Sequence, residues 1–186
     1  MEIKEHIRNC LASLKPRRLT NGFAREAAVL IPVIAWEGKH HFLLTRRTEE
    51  VQTHKGQISF PGGMREDGEP LVKTALRETF EEVGIPEDRI EILGRFHDYI
   101  SITKYRVAPF AGFISQPYTL NPQASEVAEV LQVPFRIFQD SSLLRIEKRT
   151  FMDGEEDVYY YSHGAHEVWG LTARIIKDFL DALNLR

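Results

Sequence analysis

Hydrophobic residues recur at helical spacing in one segment near the middle of the chain. The members of this stripe are three or four residues apart, at Val72, Leu76, Phe80 and Val83. Residues so spaced fall on one side of an α-helix. Pro70 suits the first helical turn and Gly84 suits the end of the helix. The pattern therefore predicts a helix over about 69–83 with one apolar side.

The rest of the chain mixes strand and helix patterns. β-Branched and aromatic residues predict strands at about 27–36, 40–47, 90–99 and 104–115, an extended stretch at 131–139, and a hairpin over 143–162. Helical spacing predicts helices at about 2–14, 124–130 and 169–183. Glu37-Gly38 and Asp153-Gly154 supply the residues of hairpin turns. This order predicts an α/β fold in one domain spanning residues 1–186.

Composition narrows the class of protein. A chain of 186 residues with 42% hydrophobic residues can bury one core. The formal net charge of −3 argues against bulk electrostatic binding to nucleic acid or to an anionic membrane. Cys10 is the only cysteine, so no internal disulfide forms. Residues 1–20 are too charged for a signal peptide, and no apolar run has the length of a membrane span. We expect a cytoplasmic location.

Three carboxylates crowd one side of the predicted central helix. Glu78 and Glu82 are four residues apart and Glu81 lies beside them, so like charges face one another. Each such pair costs roughly 0.2–0.5 kcal/mol in an isolated helix, and a bound cation relieves the repulsion. We expect these carboxylates to point away from the core. The alternative is a solvated charged face on which Arg77 pairs with Glu81.

A turn-forming stretch, Phe60-Pro61-Gly62-Gly63, precedes this helix. Glycine backbone can approach closely whatever the carboxylates hold. Mg²⁺ takes oxygen ligands, commonly one or two carboxylates with substrate phosphates and water. The protein can supply ligands for such a site from the side chains of Glu78 and Glu82 and from the Gly63 carbonyl. The expected substrate is a phosphate ester.

The spacing of the fixed residues resembles the Nudix box. Its members are Gly63, Glu69, Arg77, Glu78, Glu81, Glu82 and Gly84, with Thr79 standing where the family pattern usually has an aliphatic residue. The resemblance implies a Nudix-type α/β/α sandwich with a mixed β-sheet and a loop–helix–loop catalytic motif. It also implies a hydrolase that binds Mg²⁺ or Mn²⁺ and cleaves a nucleoside diphosphate linked to another group.

The same resemblance implies roles for individual side chains. Glu78 and Glu82 are the principal metal ligands, and Glu81 is a further ligand or a base. Arg77 and Glu69 form a structural ion pair that braces the loop before the helix.

Glu126 is a second candidate for the base that activates water. The helix predicted at 124–130 would begin after a Ser125 cap and place Glu126 in its first turn. From there the carboxylate could reach the metal site. The alternative is a solvent-facing acidic residue favoured by the helix dipole. The sequence leaves the choice of base between Glu81 and Glu126 open.

A second motif lies upstream of the box. Leu43-Leu44-Thr45-Arg46-Arg47-Thr48, Gly56 and Phe60-Pro61-Gly62-Gly63 are similar to the signature of the coenzyme A pyrophosphatase branch of Nudix hydrolases. The resemblance implies that CoA or acyl-CoA is the substrate, with 3′,5′-ADP and 4′-phosphopantetheine as products. It implies substrate contacts from Arg47, Phe60 and Gly62.

The CoA motif is incomplete in one place. Gln52 stands where the family pattern prefers Arg. Four basic residues are near enough in sequence to be considered for the 3′-phosphate of CoA: Arg25, Arg46, Arg47 and Lys55. Of these, the motif carries only Arg47.

The sequence leaves other functions open. Within the same class, the substrate could be ADP-ribose, a nucleotide sugar or a nucleoside triphosphate, because the box specifies the chemistry and not the leaving group. A non-catalytic nucleotide-sensing Nudix domain is an alternative from another class, although it does not require the complete carboxylate set. The motif gives no support to an isomerase of allylic diphosphates. The sequence is compatible with a homodimer and does not determine the oligomeric state.

Overall fold

The computed structural model describes residues 2–49, 56–151 and 154–185. The α-helices are α1 (Ile3–Ser13), α2 (Leu71–Val83), α3 (Phe135–Gln139) and α4 (Gly170–Ala182), with short 3₁₀ turns at Glu87–Arg89 and Ser141–Leu143. The strands are β1 (Arg25–Trp36), β2 (Lys39–Arg47), β3 (Ile58–Ser59), β4 (Gly62–Met64), β5 (Ile90–Arg95), β6 (Tyr99–Ile100), β7 (Tyr105–Ile114), β8 (Val127–Pro134), β9 (Leu144–Phe151), β10 (Gly154–His163) and β11 (His166–Trp169). No helix among the described residues is long and apolar enough to cross a membrane.

The strands form a mixed eight-stranded sheet and a separate three-stranded sheet. In the large sheet, β1 pairs in parallel with β7 and antiparallel with β2. The short strand β4 also pairs with β1, while β8 pairs with β2. The predicted turn between β1 and β2 is confirmed: Glu37 and Gly38 both have positive φ, at 49° and 70°, as a tight two-residue hairpin turn requires.

Helices cover both faces of the large sheet, so the α/β expectation is confirmed. Strand β1 alternates between the two sides: Leu30 and Ile34 pack in the cluster that contains Leu76 of α2. Ile31 and Val33 pack in the opposite cluster. That second cluster also contains the buried residues of α1 and α4, including Ile7, Leu11, Ile176 and Phe179. Burial of these apolar side chains on both faces of the sheet is the main contribution to the stability of the layers.

Three predicted segments are wrong in part. The predicted helix at 124–130 is a turn followed by β8, because Leu44 and Thr45 of β2 pair with Leu131 and Val130. The stretch at 131–139 completes β8 and then forms α3. The strand predicted at 90–99 ends at Arg95, and Tyr99 begins the separate strand β6. The turn predicted at Asp153 lies outside the described residues.

Helix α2 has the predicted ends but a different buried side. Phe80 is 55% exposed, so it does not belong to the apolar stripe. Thr79 is fully buried instead, and its hydroxyl donates to the Ala75 carbonyl at 2.7 Å. This internal bond satisfies the hydroxyl, which lets threonine occupy a core position where an aliphatic residue is usual in the family pattern.

Candidate active site

Strand β4 brings glycine backbone against helix α2. Gly62 pairs with Val29 of β1, and Gly63 pairs with Ala28. A Cβ atom added to Gly62 would lie 2.4 Å from the Ala28 carbonyl oxygen. One added to Gly63 would lie 2.5 Å from a carboxylate oxygen of Glu78. Gly62 therefore requires glycine, because the added atom would meet backbone. At Gly63 a side chain would displace the Glu78 carboxylate, so the Gly63 backbone lies directly beside it.

Glu82 points inward, contrary to the expectation that all three carboxylates face away from the core. It is 6% exposed, because the rotated buried side of α2 and the adjacent strand β4 enclose it. Its Oε2 atom has no hydrogen-bond partner among the described residues. Burial, and then the nearby Glu78 charge, raise the pKa of Glu82 to about 8. Burial also raises the pKa of Glu78.

These two carboxylates fit a divalent cation. They stand one helical turn apart, and one has a buried oxygen without a donor. Taken alone, two negative charges in this setting repel and are poorly solvated, which a cation would reverse. Among the described residues, no three carboxylate, imidazole or thiol side chains already surround one point. The donor set on the side chains is thus a carboxylate pair, which suits a hard divalent cation with substrate and water completing the shell.

Arg77 connects the loop before α2 to the carboxylates. We call residues 65–70 the box loop. Arg77 Nε donates to Glu69 Oε1 at 3.0 Å, and Nη2 donates to the Met64 carbonyl at 3.1 Å. Its Nη1 contacts Glu78 at 2.9 Å and Glu81 at 3.0 Å. The hydrogen bond from Arg77 lowers the pKa of Glu69 to about 2. Arg77 thus joins the box loop and β4 to α2, and it also contacts Glu81, whose side chain is 49% exposed.

Glu126 lies at the same site although its predicted helix is absent. Residues 124–126 form a turn in which the Glu126 N–H donates to the Gln123 carbonyl at 2.9 Å. The Gln123 N–H in turn donates to the Glu82 carbonyl at 3.1 Å. This contact sets the turn against the end of α2. The Glu126 charge contributes to the raised pKa values of Glu78 and Glu82.

Arg46 and Arg47 lie where the register of the β2–β8 pairing shifts, so their contacts, and not strand alternation, show where each side chain lies. The positive charge of Arg47 acts to lower the pKa of Glu82, so it faces the carboxylates. Arg47 Nε is buried and has no acceptor among the described residues. Arg46 instead pairs with Glu129 at 3.2 Å.

The remaining predicted substrate residues divide into two groups. Phe60 is 2% exposed and packs edge-on against Phe42, with ring centroids 5.9 Å apart. Its side chain belongs to the core, because β3 and β4 carry it under the sheet, and so it does not face the site as expected. Gly62 does lie at the site, through the backbone hydrogen bond that it gives Glu82. Gln52 and Lys55 lie outside the described residues.

Sequence reasoning missed an ion pair at the box loop, between Arg65 within the loop and Glu26 on β1. Arg65 Nε donates to the Glu69 carbonyl at 2.6 Å, and Arg65 also pairs with Glu26. Glu26 is 39 residues from Arg65 in the chain. No local spacing links the two, so only the pairing of β1 with β4 could reveal them.

The raised pKa of Glu82 predicts an unusual pH dependence of stability in the metal-free protein. A carboxyl with a folded pKa near 8 and an ordinary unfolded value near 4.5 binds more protons when folded. The free energy of unfolding should therefore fall as the pH rises from about 4.5 to 8. We expect Tm, measured in the presence of a chelator, to decrease over this range, and Glu82→Gln to flatten the decrease. Equal slopes for both proteins would contradict the assignment.

Comparison with known proteins is consistent with this geometry. The family model described as the NUDIX domain matches residues 24–152. A Nudix hydrolase designated NudL from Photorhabdus laumondii is 36% identical, over 88% of this chain and 87% of that protein. Nudix hydrolase 3 from Caenorhabditis elegans is 31% identical, over 93% of this chain and 80% of that protein.

Solved structures agree in fold. A MutT/nudix family protein from Enterococcus faecalis has a TM-score of 0.58 at 16% identity, covering 99% of this chain and 70% of that one. A MutT protein from Methanosarcina mazei Go1 has a TM-score of 0.57 at 19% identity, covering 94% of this chain and 100% of that one. At these identities the likeness concerns the fold alone.

Proposed function

Since this chain belongs to the Nudix hydrolase family, we propose that it hydrolyses the pyrophosphate bond of CoA or acyl-CoA. The products are 3′,5′-ADP and 4′-phosphopantetheine or its acyl form, and the cofactor is Mg²⁺ or Mn²⁺. The observation that carries the proposal is the buried Glu82 carboxylate beside Glu78, with Arg47 facing the same site. One buried and one half-buried carboxylate next to a basic side chain suit a substrate that carries phosphate and binds together with a metal ion.

Glu78 and Glu82 would bind the metal through their carboxylates. The Gly63 carbonyl would supply a backbone oxygen, and Glu81 would be a further ligand. When bound, the metal neutralises phosphate charge and lowers the barrier to attack by water. Arg77 keeps Glu78 in place through a contact at 2.9 Å, and its bonds to Glu69 fix the box loop. Rigid support of this kind matters because the two carboxylates repel each other.

Glu126 is the better placed of the two candidate bases. Glu81 is held by Arg77 at 3.0 Å, which stabilises its charged form and occupies one of its oxygens. Glu126 is half-buried and close enough for its charge to affect both Glu78 and Glu82. In the proposed reaction the Glu126 carboxylate accepts a proton from the attacking water.

Arg47 provides the contact for a substrate phosphate. Its buried Nε lacks an acceptor among the described residues, so a phosphate oxygen there would satisfy an otherwise unpaired donor. A guanidinium–phosphate contact of this type contributes roughly 1.5–3 kcal/mol. Arg46 is excluded from this role by its pairing with Glu129.

We expect CoA to be cleaved with a higher kcat/KM than either dephospho-CoA or ADP-ribose. Dephospho-CoA lacks the 3′-phosphate and therefore one charge-assisted contact. We expect its kcat/KM to be about 10- to 100-fold lower than that of CoA. The measurement is kcat/KM for the three compounds at saturating Mg²⁺.

The three possible outcomes have separate meanings. Equal kcat/KM values for CoA and dephospho-CoA would show that the enzyme does not recognise the 3′-phosphate. A preference for ADP-ribose, a nucleotide sugar or a nucleoside triphosphate would move the protein to another branch of the family. Binding of these compounds without turnover would favour the nucleotide-sensing alternative.

A further inference from the structure

We infer that Glu26 is a positioning residue for the carboxylate site, acting through Arg65 and the box loop. The inference rests on the proposed function, because it concerns the same site. Glu26 lies on β1, outside the Nudix box, and its side chain is 20% exposed. It bridges two arginines, one from the box loop and one from β7.

The first link joins β1 to the box loop. The Arg65 N–H donates to the Glu26 carbonyl at 2.9 Å, and Arg65 Nη1 forms an ion pair with Glu26 Oε2. The same guanidinium donates from Nε to the Glu69 carbonyl at 2.6 Å. Arg65 thus connects Glu26 with the end of the box loop that precedes α2. Without Glu26, the guanidinium would keep its bond to the Glu69 carbonyl but lose the ion pair that ties it to β1.

The second link runs from the box loop to the site. The Glu69 carboxylate contacts Arg77 Nε at 3.0 Å, and Arg77 Nη1 contacts Glu78 at 2.9 Å. A shift of the Glu69 backbone therefore moves the carboxylate that orients Arg77. The position of Glu78 depends on Arg77, so the effect reaches a proposed metal ligand.

Glu26 is itself held on a rigid support. It lies opposite Arg106 in the parallel pairing of β1 with β7, and Arg106 Nη2 forms an ion pair with it. Arg106 Nη1 donates to the Leu19 carbonyl at 2.7 Å and lies 4.0 Å from Asp98, which is fully buried. Alternating charges therefore connect a buried anchor in the sheet to the box loop.

A purely structural role for Glu26 makes a different prediction. It would lower Tm but leave the folded protein's affinity for metal unchanged. Glu91 on β5 provides a matched control, because it also bridges two cations, Lys4 at 3.0 Å and Arg8. Among its hydrogen bonds and ion pairs with the described residues, none involves the box loop.

The experiment compares Glu26→Gln with Glu91→Gln. Mn²⁺ affinity is measured by electron paramagnetic resonance of the free ion, and kcat and KM are measured for CoA. We expect Glu26→Gln to lower the Mn²⁺ affinity about tenfold and kcat about tenfold. The KM for CoA should stay nearly unchanged. Glu91→Gln should change Tm alone, and Glu26→Asp should restore part of the loss.

A double variant tests the route through Arg65. If both residues act on one path, Glu26→Gln combined with Arg65→Gln should bind Mn²⁺ no more weakly than Arg65→Gln alone. If Glu26→Gln does not fold, the Mn²⁺ affinity of Arg65→Gln tests the same path, because this substitution breaks the same ion pair. Wild-type Mn²⁺ affinity in Glu26→Gln, or additive losses in the double variant, would overturn the inference. If the wild type cleaves no nucleoside diphosphate derivative, the proposed function fails while Mn²⁺ binding still decides the role of Glu26.

Discussion

Glu82→Gln is expected to lower kcat on CoA by a factor on the order of 10² or more while leaving the fold intact. The substitution keeps the shape of the side chain and removes its charge. Glu82 is 6% exposed and has a carboxylate oxygen without a partner among the described residues. The neutral side chain suits the metal-free fold well, because burial and Glu78 already raise the pKa of this group. The loss should therefore appear in turnover and not in stability.

The measurement pairs turnover at saturating Mg²⁺ with circular dichroism and Tm. Glu87→Gln serves as the control, since Glu87 is an exposed carboxylate that pairs with Lys73 at 2.8 Å. We expect the control to retain nearly full activity. Activity of Glu82→Gln close to that of the wild type, with an unchanged spectrum, would refute its assignment as a metal ligand.

Arg77→Ala should reduce both stability and kcat. Arg77 contacts Glu69, Glu78, Glu81 and the Met64 carbonyl. Its removal leaves the Glu69 carboxylate, which is 15% exposed, without its strongest partner. We expect a loss of about 2 kcal/mol, which for a domain of this size lowers Tm by roughly 4–8 °C. The kcat should fall as well, because the box loop is no longer braced.

Arg47→Ala should behave in the opposite way. Arg47 Nε has no acceptor among the described residues, so its loss breaks no bond there, and Tm should change little. The KM for CoA should rise because a contact present in both ground and transition states is removed. Arg46→Ala is the matched control on β2 and should leave KM unchanged. If Arg47→Ala unfolds the protein and Arg77→Ala only raises KM, the two roles are assigned the wrong way round.

Helix α2 and its charged residues could be predicted from sequence because the relevant spacings are local. A carboxylate four residues from another is placed by the helix itself, whatever packs around it. The Arg77 contacts to Glu81 and Glu69 also fall within a short stretch of chain, at separations of 4 and 8 residues. The β1–β2 hairpin turn was likewise determined by two adjacent residues.

The buried side of α2 could not be predicted in the same way. An apolar stripe through Phe80 and one through Thr79 differ by a single position, and periodicity favoured the aromatic residue. The structure buries Thr79 because its hydroxyl bonds within the helix. This small rotation also turns Glu82 inward, and the enclosure is completed by β4, which pairs with a strand far away in sequence.

The error at 124–130 has a similar origin. The segment has acidic residues after a serine, a pattern that is typical of a helix start. Pairing of Val130 and Leu131 with β2 outweighs that local preference. The sequence predicts that Glu126 can reach the metal site, and the turn that carries it lies against the end of α2 through the Gln123 N–H, which donates to the Glu82 carbonyl. Contacts such as Glu26 with Arg65 depend entirely on strand pairing, so sequence spacing gave no indication of them.

Product identification tests most directly the proposal that this protein is a metal-dependent CoA pyrophosphatase. The protein is incubated with CoA, acetyl-CoA, ADP-ribose, a nucleotide sugar and a nucleoside triphosphate, each with Mg²⁺, Mn²⁺ or a chelator, and products are read by mass spectrometry. We predict 3′,5′-ADP and 4′-phosphopantetheine from CoA in either metal, faster than any product from the other classes, and none with the chelator. Intact CoA alongside rapid cleavage of another compound would contradict the account.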